Sequence, residues 1–378
     1  MSEPTTTPGA DPATTRINRD ETEVGSVFVS NYPAYSFWDE EDVPKARQAL
    51  ASPPNPDSQL GLYLHIPFCR KRCKFCYFRV YTDKNADQIQ TYLDALAREV
   101  EHYAQQPAIQ GRPLHFVYFG GGTPSYISSR HLRALVERIK DVMPWDQADE
   151  IAFECEPGTL TKAKLETIRD IGVTRLSLGL ENLNDEILHH NGRAHVSKEI
   201  YQAMPWVKEL DFDQVNVDLI AGMVGETWER WRETVQKTID LDPDTVTVYQ
   251  MELPYNTVYS KDLLSGDSEA IPLADWKTKR AWHAYAFEQF AAAGYTRSSA
   301  YTMKKTPEAR FVYRDAVWTG QDMIGAGVAS FSHMNGVHYQ NAPRWEDYLG
   351  TIDRGDLPLH RAFATNRDEQ LIRELILQ

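Results

Sequence analysis

The residues best suited to chemistry are three cysteines, Cys69, Cys73 and Cys76, spaced C-x3-C-x2-C in the stretch His65-Ile66-Pro67-Phe68-Cys69-Arg70-Lys71-Arg72-Cys73-Lys74-Phe75-Cys76. They follow directly on an apolar run, Leu60 to Ile66, that reads as a β-strand. Thiolates this close in sequence, on a loop leaving a strand, can converge on one inorganic centre. Three of them on a cubane iron–sulfur cluster would leave one iron without a protein ligand and open to a small molecule. The alternative is a structural zinc knot with His65 as fourth ligand. Zinc knots ordinarily bring two C-x2-C knuckles or a distant H-x3–5-H pair, and the chain has neither. A disulfide fits less well still. Four cysteines in 378 residues, with no apolar signal segment at the start, point to a reducing cytoplasm.

Acids form the second group. Strand-like runs recur at Leu60–Ile66, His115–Phe119, Glu150–Cys155, Arg175–Leu180, Gln214–Ile220 and Thr245–Leu253, separated by helix-like runs at Asp87–Gln105, Ser128–Val142, Thr161–Ile171, Lys198–Leu210 and Thr227–Leu241. This alternation predicts right-handed βαβ units on a parallel sheet, six in all, two short of a closed eight-fold barrel. In the fourth strand Leu176, Leu178 and Leu180 share one face, with Ser177, Gly179 and Glu181 on the other. In the fifth, Val215, Val217 and Leu219 oppose Asn216, Asp218 and Ile220, and in the third Ala152, Glu154 and Glu156 share a face. If the leucine and valine faces meet the helices, the lumen is small and polar, a cavity with Glu154, Glu181 and Asp218 at the strands' C-terminal ends, where α/β folds carry their sites. Such acids can also simply cap the next helix.

The second strand runs into Gly120-Gly121-Gly122-Thr123-Pro124, bare backbone that a small ligand can approach closely; no Lys-Ser/Thr follows, so this is not a P-loop. Cys155, between Glu154 and Glu156, should turn from the lumen and be a buried structural thiol.

The totals narrow the choices. A hydrophobic fraction of 42% is ample for a core, and no apolar run is long enough for a membrane span. A net charge of −14 argues against a nucleic-acid partner. Against that background Arg70, Lys71, Arg72 and Lys74 make a basic island around the cysteines, a landing site for an anionic partner such as an acidic electron donor or a carboxylate-bearing substrate.

Taken together, H-I-P-F-C-x3-C-x-F-C, Y-F-G-G-G-T-P-S, R-L-S-L-G-L-E, G-R-A-H, N-V-D-L-I-A-G and G-A-G-V-A-S-F-S resemble the radical S-adenosylmethionine (SAM) enzymes. Within these the chain is similar to oxygen-independent coproporphyrinogen III oxidases and their relatives, almost continuously from Leu60 onward. The resemblance implies that Cys69, Cys73 and Cys76 hold a [4Fe–4S] cluster whose open iron is chelated by SAM. One electron then cleaves SAM to methionine and a 5′-deoxyadenosyl radical. It further implies that Gly121, Gly122 and Thr123 bind the methionine moiety. Tyr63, Phe75, Glu154, Glu181, Arg193 and Asp218, with Met251 and Phe331 more loosely, match the family's other SAM positions, and two SAM molecules can bind side by side. For an oxidase of this kind, propionate side chains of a tetrapyrrole are oxidatively decarboxylated to vinyl groups in porphyrin and haem biosynthesis. Arg70, Arg72, Arg79, Arg193, Arg310 and Arg314 are candidates for the carboxylates of that substrate or of SAM. The electron donor would be an acidic flavodoxin or ferredoxin, and the location cytoplasmic.

The chain departs from the family in four places. Tyr77-Phe78-Arg79 stands where the oxidases carry a further cysteine, Glu181 where they have glutamine, and Gly222-Met223-Val224 replaces a G-L-P. The chain also stops inside the first helix, Asn366 to Leu377, of an expected C-terminal helical domain, which is thus truncated. Relatives with the same core act as haem chaperones or as methyl- and cyclopropyl-transferring enzymes; a haem carrier would need a ligand such as His189, His190, His195, His333 or His338. The expected organisation is α/β: a disordered tail, N-terminal extension and linker over 1–58, a partial (β/α)6 radical SAM barrel over 59–260, a barrel extension completing the substrate and second-SAM region over 261–350, and the start of the helical domain over 351–378.

Overall fold

The computed structural model describes residues 21–25, 32–265 and 272–377. Residues 1–20 and 26–31 of the tail, extension and linker expected over 1–58 therefore lie outside the described residues. In chain order the elements are α1 (Val43–Ala51), β1 (Leu60–Ile66), α2 (Ala86–Ala104), β2 (Leu114–Gly121), α3 (Ser129–Val142), β3 (Glu150–Cys155), α4 (Lys162–Asp170), β4 (Arg175–Glu181), α5 (Asp185–His190), α6 (Ser197–Glu209), β5 (Gln214–Ala221), α7 (Trp228–Leu241) and β6 (Thr245–Gln250). There follow α8 (Val258–Ser265), α9 (Trp276–Ala292), β7 (Thr296–Arg297), β8 (Thr302–Lys304), α10 (Val312–Trp318), β9 (Asp322–Ala326), β10 (Phe331–Met334), β11 (Val337–Asn341), α11 (Trp345–Asp353), β12 (Leu359–Ala364) and α12 (Arg367–Leu377).

The six expected strands pair in parallel in sequence order, β1 to β6. A seventh parallel strand, β9, lies against the free edge of β1. Antiparallel strands extend both ends of this sheet, β10–β11–β12 beyond β9 and the β7–β8 pair beyond β6, and the barrel stays open. The sheet runs on past residue 350, because β12 pairs with β11. Residue 351 falls within α11, just before the sheet's edge strand β12, and α12 coincides with the helix expected over Asn366 to Leu377.

Side-chain oxygens of Asn85, Ser128, Thr161, Thr227 and Asp275 accept hydrogen bonds from the first turns of α2, α3, α4, α7 and α9, so each of these five helices starts where its sequence can satisfy free N–H groups. Leu176, Leu178, Leu180, Val217 and Leu219 are buried in the main core between sheet and helices. The opposite face of β4 and β5 therefore looks into the lumen.

The lumen is not empty along its length. Phe116, Tyr118, Ala152, Val312 and Ala316 form a separate apolar cluster inside it, with Tyr63, Phe311 and Tyr313 packed on. Glu150, at the start of β3, accepts from the backbone N–H groups of Val312 and Tyr313 at 3.1 Å each. That contact fastens the first turn of α10 as a plug at the N-terminal end of the barrel. The strands' C-terminal ends are left as the mouth.

Candidate functional site

The loop from Pro67 to Tyr81 leaves β1 at the mouth and closes on itself. Tyr81 N–H donates to the Pro67 carbonyl at 2.7 Å and Cys69 N–H to the Tyr81 carbonyl at 3.1 Å. All three of its cysteines are free and partly exposed. Burial pushes the Cys69 thiol up to about 12 and the Cys76 thiol up to about 11, and in both the neighbouring cysteines push further. The three sulfurs thus lie within one another's electrostatic reach. Two donors touch them: Thr123 Oγ1 stands 3.4 Å from Cys69 Sγ, and Arg193 Nη1 3.3 Å from Cys73 Sγ. His65, the fourth ligand of the zinc alternative, has both ring nitrogens in use. Tyr63 Oη is 3.2 Å from Nδ1 and the Arg79 carbonyl 3.4 Å from Nε2. Among the described residues no three His, Cys, Asp or Glu side chains gather closely enough to hold a single metal ion. Thiolates on one tetrahedral zinc would stand about 3.8 Å apart, closer than three corners of a cubane require.

The lumen acids lie below this loop. Glu154 accepts from Tyr118 Oη at 2.6 Å and from Gly121 N–H at 3.1 Å. Burial nonetheless raises its carboxyl to about 7, opposed by those two hydrogen bonds and aided by Asp218. Asp218 accepts from Ser177 Oγ at 3.1 Å and Asn216 Nδ2 at 2.9 Å, and Asn216 Oδ1 accepts in turn from Thr245 and Thr247. Glu181 sits at a bulge in β4 with φ of 64°, an uncommon conformation for a residue with a side chain. Its carboxylate lies 3.6 Å from Arg193 Nη1, and burial raises it to about 7 against the pull of that arginine. Gly179 leaves the room this needs, since a Cβ there would stand 3.1 Å from Glu181 Oε1 and 3.5 Å from Arg193 Nη2. Arg193 Nη2 donates to the Gly179 carbonyl at 2.5 Å, while its Nε is buried without a partner.

The glycine turn is more committed than its sequence suggests. Gly121 N–H goes to Glu154, Gly122 N–H to the Ile66 carbonyl and Thr123 N–H to the Phe68 carbonyl. A ligand here meets carbonyl oxygens, each with a second lone pair, rather than free N–H groups. Gly121 has φ of 108°, and a Cβ on it would run into the His65 ring at 2.4 Å, so only glycine fits.

The remaining candidates divide. Phe75 and Met251 pack on one small apolar cluster with Ile187, Ile220, Met223 and Leu253. Tyr63 stacks on Tyr118 at 5.7 Å, inside the lumen. Phe331, at the start of β10, is covered by Tyr35 of the N-terminal extension, stacked at 4.4 Å. Cys155 is buried on the core side of β3. Among the arginines, Arg70 pairs with Glu156 at 3.2 Å and Arg314 with Asp315, and Arg72 donates to the Cys76 and Asn256 carbonyls. Arg310 just precedes the plug helix α10 and Arg314 lies within it, at the end of the barrel away from the mouth. Arg79 is exposed at the cysteine loop and forms no ion pair among the described residues. His195 is buried against Glu156 at 2.9 Å, and His333 and His338 are packed ring to ring at 4.5 Å; His189 and His190 are exposed.

Several residues at the site had a signal that went unread. The two-residue period that exposes Asp218 to the lumen does the same for Thr245, Thr247 and Tyr249 on β6 and for Tyr118 on β2. Tyr118 holds Glu154, and Tyr249 reaches the mouth and is 46% exposed.

The radical SAM superfamily profile matches residues 63–238. The oxygen-independent coproporphyrinogen III oxidase of Synechocystis sp. is 28% identical over 361 residues, covering 92% of this chain and 76% of that protein. The heme chaperone HemW of Bacillus subtilis is 26% identical over 327 residues, covering 83% and 82%. The solved coproporphyrinogen III oxidase (HemN) from Escherichia coli superposes with a TM-score of 0.80 at 24% identity, covering 91% of this chain and 80% of that one, so the two share a fold. Together with the cysteine loop and the lumen acids at one barrel mouth, these likenesses point one way: residues 63–238 form a radical SAM domain, and the chain as a whole is similar to the oxygen-independent coproporphyrinogen III oxidases and the HemW chaperones.

Proposed function

We propose that the protein is a radical SAM oxidoreductase that oxidatively decarboxylates propionate side chains of a tetrapyrrole to vinyl groups, in the manner of its coproporphyrinogen oxidase relatives. The observation that carries the reading is Arg193, whose guanidinium touches both Cys73 Sγ and the Glu181 carboxylate and so joins the cysteine loop to the lumen acids.

The family's two cofactors, a [4Fe–4S] cluster and SAM, fit the residues present. Cys69, Cys73 and Cys76 would hold the cluster, with Thr123 and Arg193 donating to two of the sulfurs. The orphaned Arg193 Nε is a buried donor suited to the carboxylate of a methionyl group. Glu154, Glu181 and Asp218 offer acceptors for an α-ammonium and ribose hydroxyls, and the carbonyls of the glycine turn add more. When bound, the pair supplies a one-electron reduction that generates a carbon radical able to take hydrogen from an unactivated carbon.

The chain's own residues then orient and enclose. Tyr118 fixes the Glu154 carboxyl, and Ser177 and Asn216 fix that of Asp218. The plug helix α10 and the stacked Tyr63, Tyr118 and Tyr313 close the far end of the lumen to water. Phe75 and Met251 make an apolar wall beside the loop, where a second SAM could lie. Arg79, exposed and without an ion pair among the described residues, is the arginine best placed to meet a substrate carboxylate. Exposed Arg70 and Lys71, on a chain of net charge −14, suit the docking of an acidic electron donor in the cytoplasm. Nucleic acid is not a partner on the same charge argument.

Product analysis tests the reading. Reconstituted, reduced protein is incubated anaerobically with SAM and coproporphyrinogen III. Vinyl product with two 5′-deoxyadenosines per substrate supports it. Tight haem binding without decarboxylation would assign the protein to the chaperones, and S-adenosylhomocysteine among the products to the transferases.

A further inference from the structure

Three tyrosines around the barrel mouth are exposed: Tyr35 at 39%, Tyr77 at 45% and Tyr249 at 46%. They come from three separate parts of the chain, namely the N-terminal extension, the loop just past Cys76 and the C-terminal end of β6. Yet they come near one another at the mouth. Tyr77 is within electrostatic reach of both Tyr35 and Tyr249, and Tyr249 of Asp218, Glu154 and Glu181.

Each exposed ring is backed by a second aromatic. Tyr35 stacks on Phe331 at 4.4 Å and 24°, Tyr77 lies on Phe78 at 4.6 Å and 32°, and Tyr249 on Tyr301 at 6.2 Å and 25°. A backed ring has its plane fixed before a ligand arrives, and exposed apolar surface gathered at one place marks a binding site. Two guanidinium groups border the patch. Arg361 lies 5.9 Å from the centre of the Tyr35 ring, and Arg79 follows Phe78 in sequence; neither forms an ion pair among the described residues. Apolar ring faces with cations at the rim complement a broad macrocycle whose edge carries carboxylates. A small polar substrate would use neither feature.

We propose that Tyr35, Tyr77 and Tyr249 form the seat of the tetrapyrrole, with Arg79 and Arg361 meeting its peripheral carboxylates. The proposal rests on the substrate reading above and deepens it by assigning the surface that recognises the macrocycle. It also gives a role to Tyr77, in the stretch Tyr77-Phe78-Arg79 that stands where the oxidases carry a further cysteine.

Coproporphyrin III, a fluorescent tetracarboxylate that cannot react, is the probe. Its affinity for the reconstituted full chain is measured anaerobically by quenching and polarisation, alongside SAM binding and the thermal melt. Tyr249→Ala and Tyr35→Ala should each weaken binding at least tenfold with SAM affinity unchanged, and Tyr249→Phe should stay within about twofold of wild type. Arg79→Gln should weaken binding several-fold. Tyr35 lies on a surface segment, so its variant carries the test even if Tyr249→Ala melts early. Wild-type affinity retained in both alanine variants, against a wild type that binds tightly, would overturn the seat while leaving the substrate class standing. A wild type that cleaves SAM but does not bind the probe would overturn the substrate class and the seat with it.

Discussion

Arg193 ties the site together at the scale of single residues. Its Nη1 meets both the Cys73 sulfur and the Glu181 carboxylate, and its Nη2 donates to the Gly179 carbonyl. Glu181 is held in a left-handed conformation that costs about 1–3 kcal/mol, tolerated where the surroundings fix it. Cys73→Ala should abolish the visible cluster absorption and SAM cleavage together, because two thiolates do not hold a cubane; iron and acid-labile sulfide assays check this, and retention of both would refute the ligand set. Asp218→Ala removes the acceptor of Ser177 and Asn216 and should weaken SAM binding at least tenfold, about 1.4 kcal/mol, with iron content unchanged. Equilibrium dialysis with labelled SAM decides, and unchanged affinity would mean that Asp218 holds the barrel wall rather than the ligand. The cysteines and lumen acids were legible in the sequence because spacing and strand alternation leave a trace. The bulge at Glu181 and the engaged N–H groups of the glycine turn left none, since both depend on how neighbouring strands are offset.

Among the elements, the first six strands and the five helices expected between them follow the sequence to within a few residues, and the short α5 between β4 and α6 is an addition. Period-two faces and helix caps are local properties. The antiparallel strands β10 to β12 and the β7–β8 pair are short, carry mixed side chains and owe their place to pairing across long stretches of chain, so no local pattern announces them. The turn between β9 and β10 shows what holds such a region. Buried Glu99, on α2, accepts from Gly327 N–H at 2.8 Å, Asn341 Nδ2 at 2.6 Å and Tyr348 Oη at 2.6 Å, joining β9, β11 and α11. Burial raises its carboxyl from 4.5 to about 8, against the pull of those three donors. A raised carboxyl keeps a proton in the folded chain that the unfolded chain has lost. The stability Glu99 contributes is therefore full below 4.5 and declines as pH rises toward 8. Glu99→Gln cannot titrate. Its melting temperature should fall less than that of the wild type from about pH 5 to pH 8, and equal slopes would mean that Glu99 is ionised throughout.

For the whole molecule, the open sheet makes a cup rather than a tube. The plug helix α10 seals the bottom, the N-terminal extension reaches the mouth at Tyr35, and the β10–β12 edge supports that extension through Phe331 and the Asp39–Ala362 bridge. No helix among the described residues is long and apolar enough to cross a membrane. The cup places the cysteine loop directly over the acids that would cradle a small cationic cofactor, which is the arrangement everything else serves. Mössbauer spectroscopy of protein reconstituted with iron-57, before and after addition of SAM, addresses that arrangement most directly. The account predicts a four-iron cluster in which one iron alone changes its signal when SAM binds, at about one cluster per chain. Four equivalent irons indifferent to SAM, or material that takes up zinc and no sulfide, would contradict it.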